Sequence, residues 1–239
     1  NIHTLKKGMT NRSFIFTVNN KRYIMRIPGE GTDKLIDRKE EYNVYQRVKK
    51  EPYTETILYL NPDSGYKISE FLENTRNSDA NNIQDVKKSM SVLRKFHNQN
   101  YQVDHTFDLW KQIDFYESLR KTASAYRDYE EIKDRVLKLK PFIKDNVTKW
   151  SLCHIDANYD NFLIDQNNNV FLIDWEYAGM QDPDLDIAMY AIYAGYTKEK
   201  IDQLINIYYE NKVSENIRYK IYAYVAVGGL LWSNWCEYK

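Results

Sequence analysis

Alternating apolar and polar positions in the first seventy residues predict β-strands. The segments SFIFTV and RYIMRI flank an NNK turn, which is typical of a β-hairpin. TILYL and YKISEFL flank the turn NPDSG and predict a second hairpin. The segment DKLIDRKEEYNVYQRVKK separates them and predicts a helix, which we expect to begin at Thr32 or Asp33 because both residue types cap helices. The first part of the chain is therefore expected to be small and rich in strands.

After residue 73 the apolar positions recur at helical spacing. In IQDVKKSMSVLRKFH one helical face carries Ile83, Val86, Met90, Leu93 and His97. FDLWKQIDFYESLRK and EEIKDRVLKLKPFIKD predict two more helices, and the chain is predicted to be helical again from Asp186 onward. The predicted fold class is α+β, with a β-rich N-terminal lobe over residues 1–72 and a larger, mainly helical C-terminal lobe over residues 73–239.

One apolar run, residues 221–236, contains no charged residue. It is shorter than the roughly 20 residues that a membrane span needs. It also contains two glycines, a serine and an asparagine. We therefore predict a buried helix and no membrane span.

Charge and cysteine content narrow the class of protein. Lysine plus arginine number 34, as do aspartate plus glutamate, and this balance argues against a nucleic-acid partner, which usually requires a basic surface. Two distant cysteines, Cys153 and Cys236, form no disulfide framework and are interpreted as buried free thiols. A cytoplasmic location is expected.

A short β-rich stretch, SLCHIDANYDNFLIDQNNNVFLIDWEYAG, covers residues 151–179. NFLID and VFLID predict a hairpin, and the polar residues near its ends are His154, Asp156, Asn161, Asp174 and Glu176. Because a hairpin brings its ends together, Asn161 and Asp174 are expected side by side, where their oxygens suit Mg²⁺. Asp156 is placed to orient a hydroxyl nucleophile and to accept its proton.

The spacing H-x-D-x-x-x-x-N followed by D is that of the catalytic and metal loops of kinases. An alternative is that Asp156, Asn161 and Asp174 are turn residues that satisfy backbone amides. His154 is interpreted as a brace of the loop by hydrogen bonding rather than as a reacting group.

The strand-rich region offers two further candidates for phosphate binding. KKGMTNRSF provides Gly8, Thr10 and Asn11 as a turn near the first strands, although alone this segment indicates no more than a turn. Arg26 lies on the next predicted strand and Glu41 on the following helix, so they are predicted to form the cation and acid pair that a kinase requires. The alternative for this pair is a surface salt bridge.

Six segments resemble one known family: GMTNRSF, YIMRIPGEGTDKLIDRKEE, GYKISEFLEN, CHIDANYDNFLI, LIDWEYAGMQDPDLDIA and LLWSNWCEYK. Together they resemble the bacterial members of the choline/ethanolamine kinase family, which belongs to the aminoglycoside-phosphotransferase-like group. The resemblance runs nearly end to end and in matching order. It implies a bilobal, protein-kinase-like fold.

The resemblance also implies roles for individual positions. Asp156 is similar to the catalytic base, and Asn161 and Asp174 are similar to the Mg²⁺ ligands. Arg26, held by Glu41, is similar to the cation that pairs with the phosphates of ATP. The remaining nucleotide-binding positions implied are the loop residues Gly8, Thr10 and Asn11 and the hinge residues Glu70, Phe71 and Leu72.

The acceptor pocket is implied at the end of the chain. Trp232 and Trp235 resemble the aromatic wall of a choline pocket, with Tyr177 beside them. Three residues apart, the tryptophans share one face of a helix. The face of a tryptophan ring attracts a quaternary ammonium, which cannot donate a hydrogen bond.

Acidic residues near this pocket are expected to complement the positive charge of choline. Glu176 and Asp186 are the candidates, although Asp186, near a predicted helix start, is equally expected to cap the helix or brace a loop. Eukaryotic family members carry an acid on the following helix. This chain has Tyr190 and Tyr193 there, and the hypothesis is a more aromatic pocket that includes Tyr193.

The function predicted from the sequence is an ATP- and Mg²⁺-dependent choline kinase, acting as a monomer or homodimer. One alternative is a related kinase for ethanolamine, thiamine or an aminoglycoside, although the aromatic tail favours choline over these acceptors. A second is a pseudokinase that binds a nucleotide or an amine without catalysis, which has no need to retain Asp156, Asn161 and Asp174. A third, a protein kinase, is disfavoured because the chain shows no D-F-G or A-P-E motif.

Overall fold

The computed structural model describes residues 2–5 and 10–239. The strands are β1 (Ile2–Thr4), β2 (Asn11–Val18), β3 (Lys21–Pro28), β4 (Ile57–Leu60), β5 (Lys67–Glu70), β6 (Arg76–Asn77), β7 (Ser151–Cys153), β8 (Phe162–Ile164), β9 (Val170–Leu172) and β10 (Gly179–Gln181). The α-helices are α1 (Arg38–Val48), α2 (Ile83–Asn98), α3 (Leu109–Ser118), α4 (Tyr129–Leu137), α5 (Lys140–Asn146), α6 (Asp184–Tyr193), α7 (Lys198–Tyr208) and α8 (Glu215–Tyr238).

The chain forms two compact units, and each is built from two stretches of sequence. The first unit consists of Asn1–Asp79 and Asp160–Ala178, and the second of Ala80–Tyr159 and Gly179–Lys239. These bounds differ from the predicted lobes, 1–72 and 73–239, because β6 pairs with β8. That pairing places Arg76 opposite Ile164 and draws the β8–β9 hairpin into the first unit.

The first unit contains a five-stranded sheet in the order β1-β2-β3-β5-β4. Its neighbouring strands are antiparallel, and both hairpins predicted for this region are confirmed. The β2–β3 turn contains Asn19 and Asn20, whose φ angles are 49° and 61°. Asparagine tolerates this left-handed conformation, which two-residue hairpin turns require. A second, three-stranded sheet has the order β6-β8-β9 and confirms the hairpin predicted after residue 160.

Helix α1 begins later than predicted. Its N-cap is Asp37, whose side chain accepts hydrogen bonds from the backbone amides of Lys39 and Glu40. Thr32 instead belongs to a separate turn of 3₁₀-helix, and its hydroxyl donates to the carbonyl of Gly29 at 2.7 Å. The predicted caps at Thr32 and Asp33 were therefore wrong, because a nearer carboxylate satisfies the first amides of the helix.

The helices of the second unit follow the predicted pattern with two differences. Four positions of the stripe on α2 are buried, but Ile83 is 36% exposed. The segment predicted as one helix over residues 130–145 is two helices, α4 and α5. Pro141 lies in the first turn of α5, where its missing N–H costs nothing, whereas inside a continuous helix it would break the hydrogen-bond ladder.

The apolar run of residues 221–236 lies within α8, which packs on α6 and α3. Gly228 allows a close approach to α6, since a Cβ atom there would lie 2.7 Å from Cδ1 of Ile192. None of the helices in the described part of the chain is apolar over enough of its length to cross a bilayer.

Candidate active site

Five charged side chains of the first unit form a cluster, which we call the arginine–carboxylate cluster. Its members come from β3, α1 and the segment after β9, and they are Arg26, Arg38, Glu41, Asp174 and Glu176. Two positive charges face three negative charges, so the cluster carries a net charge of −1 when every member is ionised. A buried group of this composition favours a further positive charge.

Arg26 forms the predicted ion pair with Glu41. Its Nη2 atom lies 2.5 Å from Oε1 of Glu41, and only 4% of its side chain is exposed. Its Nη1 atom lies 3.4 Å from Oδ1 of Asp174 and 3.6 Å from Oε2 of Glu176. Burial opposes the charge, but the surrounding carboxylates raise the pKa of Arg26 above its ordinary value. The pair is thus buried, and the alternative of a surface salt bridge does not hold.

Arg38 is a member of the cluster that the sequence interpretation missed. Its Nη1 atom lies 2.8 Å from Oε2 of Glu41 and 3.2 Å from Oε2 of Glu176. Its Nη2 atom donates to Oδ1 of Asn11 at 3.3 Å. The one available signal was its position three residues before Glu41, since residues three apart meet on a helix surface.

Glu176 connects the cluster to the start of β2. Its Oε1 atom accepts a hydrogen bond from the Thr10 hydroxyl at 2.7 Å, and Oε2 accepts from Nδ2 of Asn11 at 2.7 Å. Burial opposes ionisation, but Arg26, Asn11 and Arg38 together hold the pKa of Glu176 below its ordinary value. Only 2% of the side chain is exposed, and both oxygens are engaged. This geometry favours a role of Glu176 in holding Thr10 and Asn11, and the predicted contact of Glu176 with choline stays a prediction.

Asp174 is the cluster member best suited to a metal ion. About a third of its side chain, 35%, is exposed, and burial and the neighbouring Glu176 raise its pKa to about 7. The backbone amide of Ile173 donates to the carbonyl of Asn161 at 3.0 Å, so Asn161 and Asp174 leave the same end of the hairpin. An accessible carboxylate in a negatively charged cluster, next to an amide side chain, is a donor set that fits Mg²⁺.

Replacing Glu41 with alanine is expected to destabilise the protein by about 3 kcal/mol, because removal of one partner leaves buried guanidinium groups undercompensated. Urea denaturation measures this change as a lower free energy of unfolding. Glu40→Ala is the matched control, since Glu40 is the preceding residue of α1 and is exposed. Equal stability of the two variants would contradict the assigned role of the buried ion pairs.

In the second unit, the residues that follow β7 form a short loop, which we call the 154–156 loop. Ile155 has a φ angle of 68°, a conformation that is costly for a β-branched residue and has to be held by its surroundings. The backbone amides of His154 and Ile155 donate to the two carboxylate oxygens of Asp186, each at 2.7 Å. Asp186 therefore braces the loop, which was one of the two roles expected for it. Being fully buried, it is not suited to pairing with choline.

The sequence interpretation also missed two residues that support Asp186. Nε2 of His97 lies 2.9 Å from Oδ2 of Asp186, and Nδ1 of His97 lies 2.7 Å from the Tyr208 hydroxyl. All three residues are buried. The signal in the sequence was a histidine on the apolar stripe of α2, which was counted as a core position.

Asp156 adjoins the predicted aromatic residues of the second unit. The Tyr193 hydroxyl donates to Oδ1 of Asp156. The Tyr193 ring centroid lies 6.0 Å from that of Trp232, which lies 5.9 Å from that of Trp235 in an edge-on arrangement. We call Tyr193, Trp232 and Trp235 the aromatic cluster. The structure thus joins four of the residues predicted for choline binding.

The remaining predicted positions are distributed as follows. The backbone amide of Glu70 donates to the carbonyl of Thr56, and that of Phe71 to the carbonyl of Arg22, at the end of β5. Leu72 is half-buried beyond them, and Tyr177 is buried in the first unit. Gly8 lies outside the described residues. Contacts of these positions with adenine, phosphate or choline stay predictions.

Known proteins resemble this chain over most of its length. The protein LicA of Haemophilus influenzae is 28% identical over 209 residues, which cover 84% of this chain and 60% of that protein. This chain thus spans less than two thirds of that relative.

The similarity extends to solved structures. The choline kinase LicA from Streptococcus pneumoniae superposes with a TM-score of 0.88 at 28% identity, covering all of this chain and 84% of the other. A structure of LicA in complex with AMP gives a TM-score of 0.84 at 27% identity and covers 99% of this chain and 84% of that one. An aminoglycoside phosphotransferase, at 18% identity and a TM-score of 0.68, shares the fold. The predicted kinase-like fold is confirmed.

A family model described as choline/ethanolamine kinase matches residues 2–228. This match includes the arginine–carboxylate cluster, the 154–156 loop and Tyr193. With nearly the whole chain matched, and with the site residues in the expected order, this protein belongs to the choline/ethanolamine kinase family.

Proposed function

We propose that this protein transfers the γ-phosphoryl group of ATP to the hydroxyl group of choline, giving phosphocholine and ADP. The choline oxygen forms a bond to the γ-phosphorus while the bond from that phosphorus to the β,γ-bridging oxygen breaks. The proton of the choline hydroxyl passes to Asp156, and ADP leaves with the bridging oxygen. The proposed reaction is therefore a phosphoryl transfer to choline, a short amino alcohol.

The observation that carries the proposal is the hydrogen bond from Tyr193 to Asp156, together with the packing of the Tyr193 ring near Trp232. It links the predicted base to a group of aromatic rings. A quaternary ammonium near these rings gains about 0.5–2 kcal/mol from a cation–π contact with a ring. An acceptor with a quaternary nitrogen and a nearby hydroxyl matches both features.

The first unit supplies the groups proposed for the nucleotide. Asn161 and Asp174 would hold Mg²⁺, which would neutralise the charge that develops on the phosphates of ATP. Arg26 contributes a fixed positive charge beside Asp174. Thr10 and Asn11, which Glu176 holds at the start of β2, are proposed to contact the phosphates.

The similarity to proteins described as choline kinase LicA supports choline as the acceptor, and the LicA complex with AMP supports an adenine nucleotide. The use of ATP supports a cytoplasmic location. The chain spans only part of the longer LicA protein, so the activity is proposed for the residues of this chain alone.

The proposal predicts choline-dependent release of ADP. Purified protein is incubated with ATP and MgCl₂, and ADP is measured by a coupled assay with choline, ethanolamine, thiamine or kanamycin as the acceptor. Choline is expected to give a kcat/KM at least about tenfold above that of ethanolamine. The primary ammonium of ethanolamine donates hydrogen bonds to water that aromatic rings do not replace, whereas the quaternary ammonium of choline donates none. Asp156→Asn is the catalytically impaired control.

Other outcomes would redirect the assignment. Turnover with ethanolamine, thiamine or kanamycin in place of choline would keep the phosphotransferase activity and reject the quaternary acceptor. An absence of turnover with all four acceptors, while ATP binding persists in calorimetry, would favour a binding protein without catalysis.

A further inference from the structure

Helix α6 contacts the 154–156 loop at two separate points. Near its start, Asp186 accepts hydrogen bonds from the backbone amides of His154 and Ile155. At its last residue, Tyr193 donates a hydrogen bond to the carboxylate of Asp156. One contact holds the backbone of the loop, and the other holds its side chain.

The spacing on α6 explains how one helix reaches both points. Asp186 and Tyr193 are seven residues apart, which is about two turns of an α-helix and about 10 Å along its axis. Residues at this spacing lie on the same helix face. The helix therefore presents a carboxylate and a phenol to the same loop.

The loop requires such support because of its backbone conformation. Ile155 is held at a φ angle of 68°. It lies between His154, whose amide donates to Asp186, and the proposed base, Asp156. The bonds from Asp186 fix the peptide groups before Asp156 and act on the backbone rather than on the torsions of the Asp156 side chain. The hydroxyl of Tyr193 acts on those torsions.

We propose that Tyr193 is a positioning residue for the phosphoryl transfer, whose hydroxyl fixes the Asp156 carboxylate while its ring borders the site of the acceptor's cation. This inference rests on the proposed function and extends it, because it assigns separate tasks to the two ends of one side chain. The hydroxyl governs the turnover of bound choline, and the ring governs the binding of choline.

The two tasks follow from different interactions. A phenol that donates to a carboxylate forms a charge-assisted hydrogen bond, which is stronger than a bond between neutral groups and restricts the acceptor geometrically. The ring centroid lies 6.0 Å from that of Trp232 in the aromatic cluster, and aromatic rings attract a quaternary ammonium. Tyr193 is half-buried, so the side chain is neither a core residue nor a freely moving one.

Two variants separate the tasks. Tyr193→Phe removes the hydroxyl and keeps the ring, whereas Tyr193→Met removes both and keeps a side chain of similar length. Tyr196→Phe is the matched control. Tyr196 lies three residues beyond the end of α6, and its hydroxyl donates to the carbonyl of Ala80 instead. Each protein is measured for kcat, for the KM of choline at saturating ATP, and for its melting temperature.

We expect Tyr193→Phe to lower kcat about tenfold, the size typical of one lost charge-assisted hydrogen bond, while the KM for choline changes less than about twofold. Tyr193→Met is expected to show the same loss in kcat together with a KM about five- to tenfold higher. Tyr196→Phe is expected to resemble the wild type in both constants. Should Tyr193→Phe melt at a much lower temperature than the wild type, all variants are assayed below its melting transition, where each of them is folded.

The background test uses the Asp156→Ala variant and its residual rate, measured with radiolabelled ATP. If Tyr193 acts through the Asp156 carboxylate, adding Tyr193→Phe lowers this residual rate less than twofold. A further tenfold loss in that background would overturn the inference, and so would an unchanged kcat or a raised KM in the single Tyr193→Phe variant. An inactive wild type would instead reject the proposed function, since the inference concerns ratios between active proteins.

Discussion

Replacing Asp156 with asparagine is expected to lower kcat for choline by about 1,000-fold, within the range that general base catalysis contributes. The amide keeps the size of the side chain but does not accept the proton of the choline hydroxyl. The KM for choline is expected to change little, because the aromatic cluster, which is the proposed site of the cation, is retained. Steady-state ADP release measures both constants.

Asp160→Asn is the matched control for this variant. Asp160 lies four residues after Asp156 and is exposed, and its carboxylate accepts a hydrogen bond from Asn77 in the first unit. Its replacement is expected to leave kcat within about twofold of the wild type, as is usual for exposed positions. Similar losses in both variants would show that the Asp156 effect is not specific to proton transfer.

Replacing Asp174 with asparagine is expected to reduce kcat/KM for ATP by about 1,000-fold, because it removes the charge that is proposed to hold Mg²⁺ on the phosphates. Asparagine is the appropriate replacement since Asp174 has a φ angle of 67°, a conformation that asparagine tolerates and alanine does not. Titrating MgCl₂ at fixed ATP measures the effect, and the variant is expected to need much more Mg²⁺ for half-maximal activity.

Two comparisons make the Asp174 result interpretable. Asp63→Asn removes an exposed carboxylate from the same unit and is expected to leave the Mg²⁺ dependence unchanged. The melting temperature of Asp174→Asn is expected to stay near that of the wild type, since Arg26 keeps its contacts with Glu41 and Glu176. An unaltered Mg²⁺ titration in folded Asp174→Asn would remove Asp174 from the metal site.

Local features of the fold were predictable from the sequence because their causes are local. The turn at Asn19 and Asn20 and the asparagine-rich turn of the β8–β9 hairpin contain residues that tolerate left-handed backbone. Helix boundaries were harder to place, because several neighbouring residues were able to cap α1 and the nearest one, Asp37, does so. The break before α5 was available from Pro141 and was overlooked.

Long-range pairings were not predictable in the same way. Strand patterns for β6 and β8 do not reveal that they pair, so the place of residues 160–178 in the first unit came only from the structure. The kinase spacing identified Asp156, Asn161 and Asp174, and it also pointed to the pair of Arg26 and Glu41. It did not reveal Arg38, because the bonds of Arg38 to Asn11 and Glu176 join residues far apart in the chain.

Because the first unit is built from two separate stretches of sequence, it is completed only late in translation. When the ribosome has made residues up to 79, Arg26 and Arg38 share Glu41, and their other carboxylate partners, Asp174 and Glu176, do not yet exist. Strand β6 likewise has no β8 to pair with until residues 162–164 have been synthesised. A nascent N-terminal sheet with these contacts therefore carries an excess of buried positive charge until residues 160–178 have also been synthesised. The native charge balance of the first unit therefore depends on bringing together two stretches of chain that residues 80–159 separate.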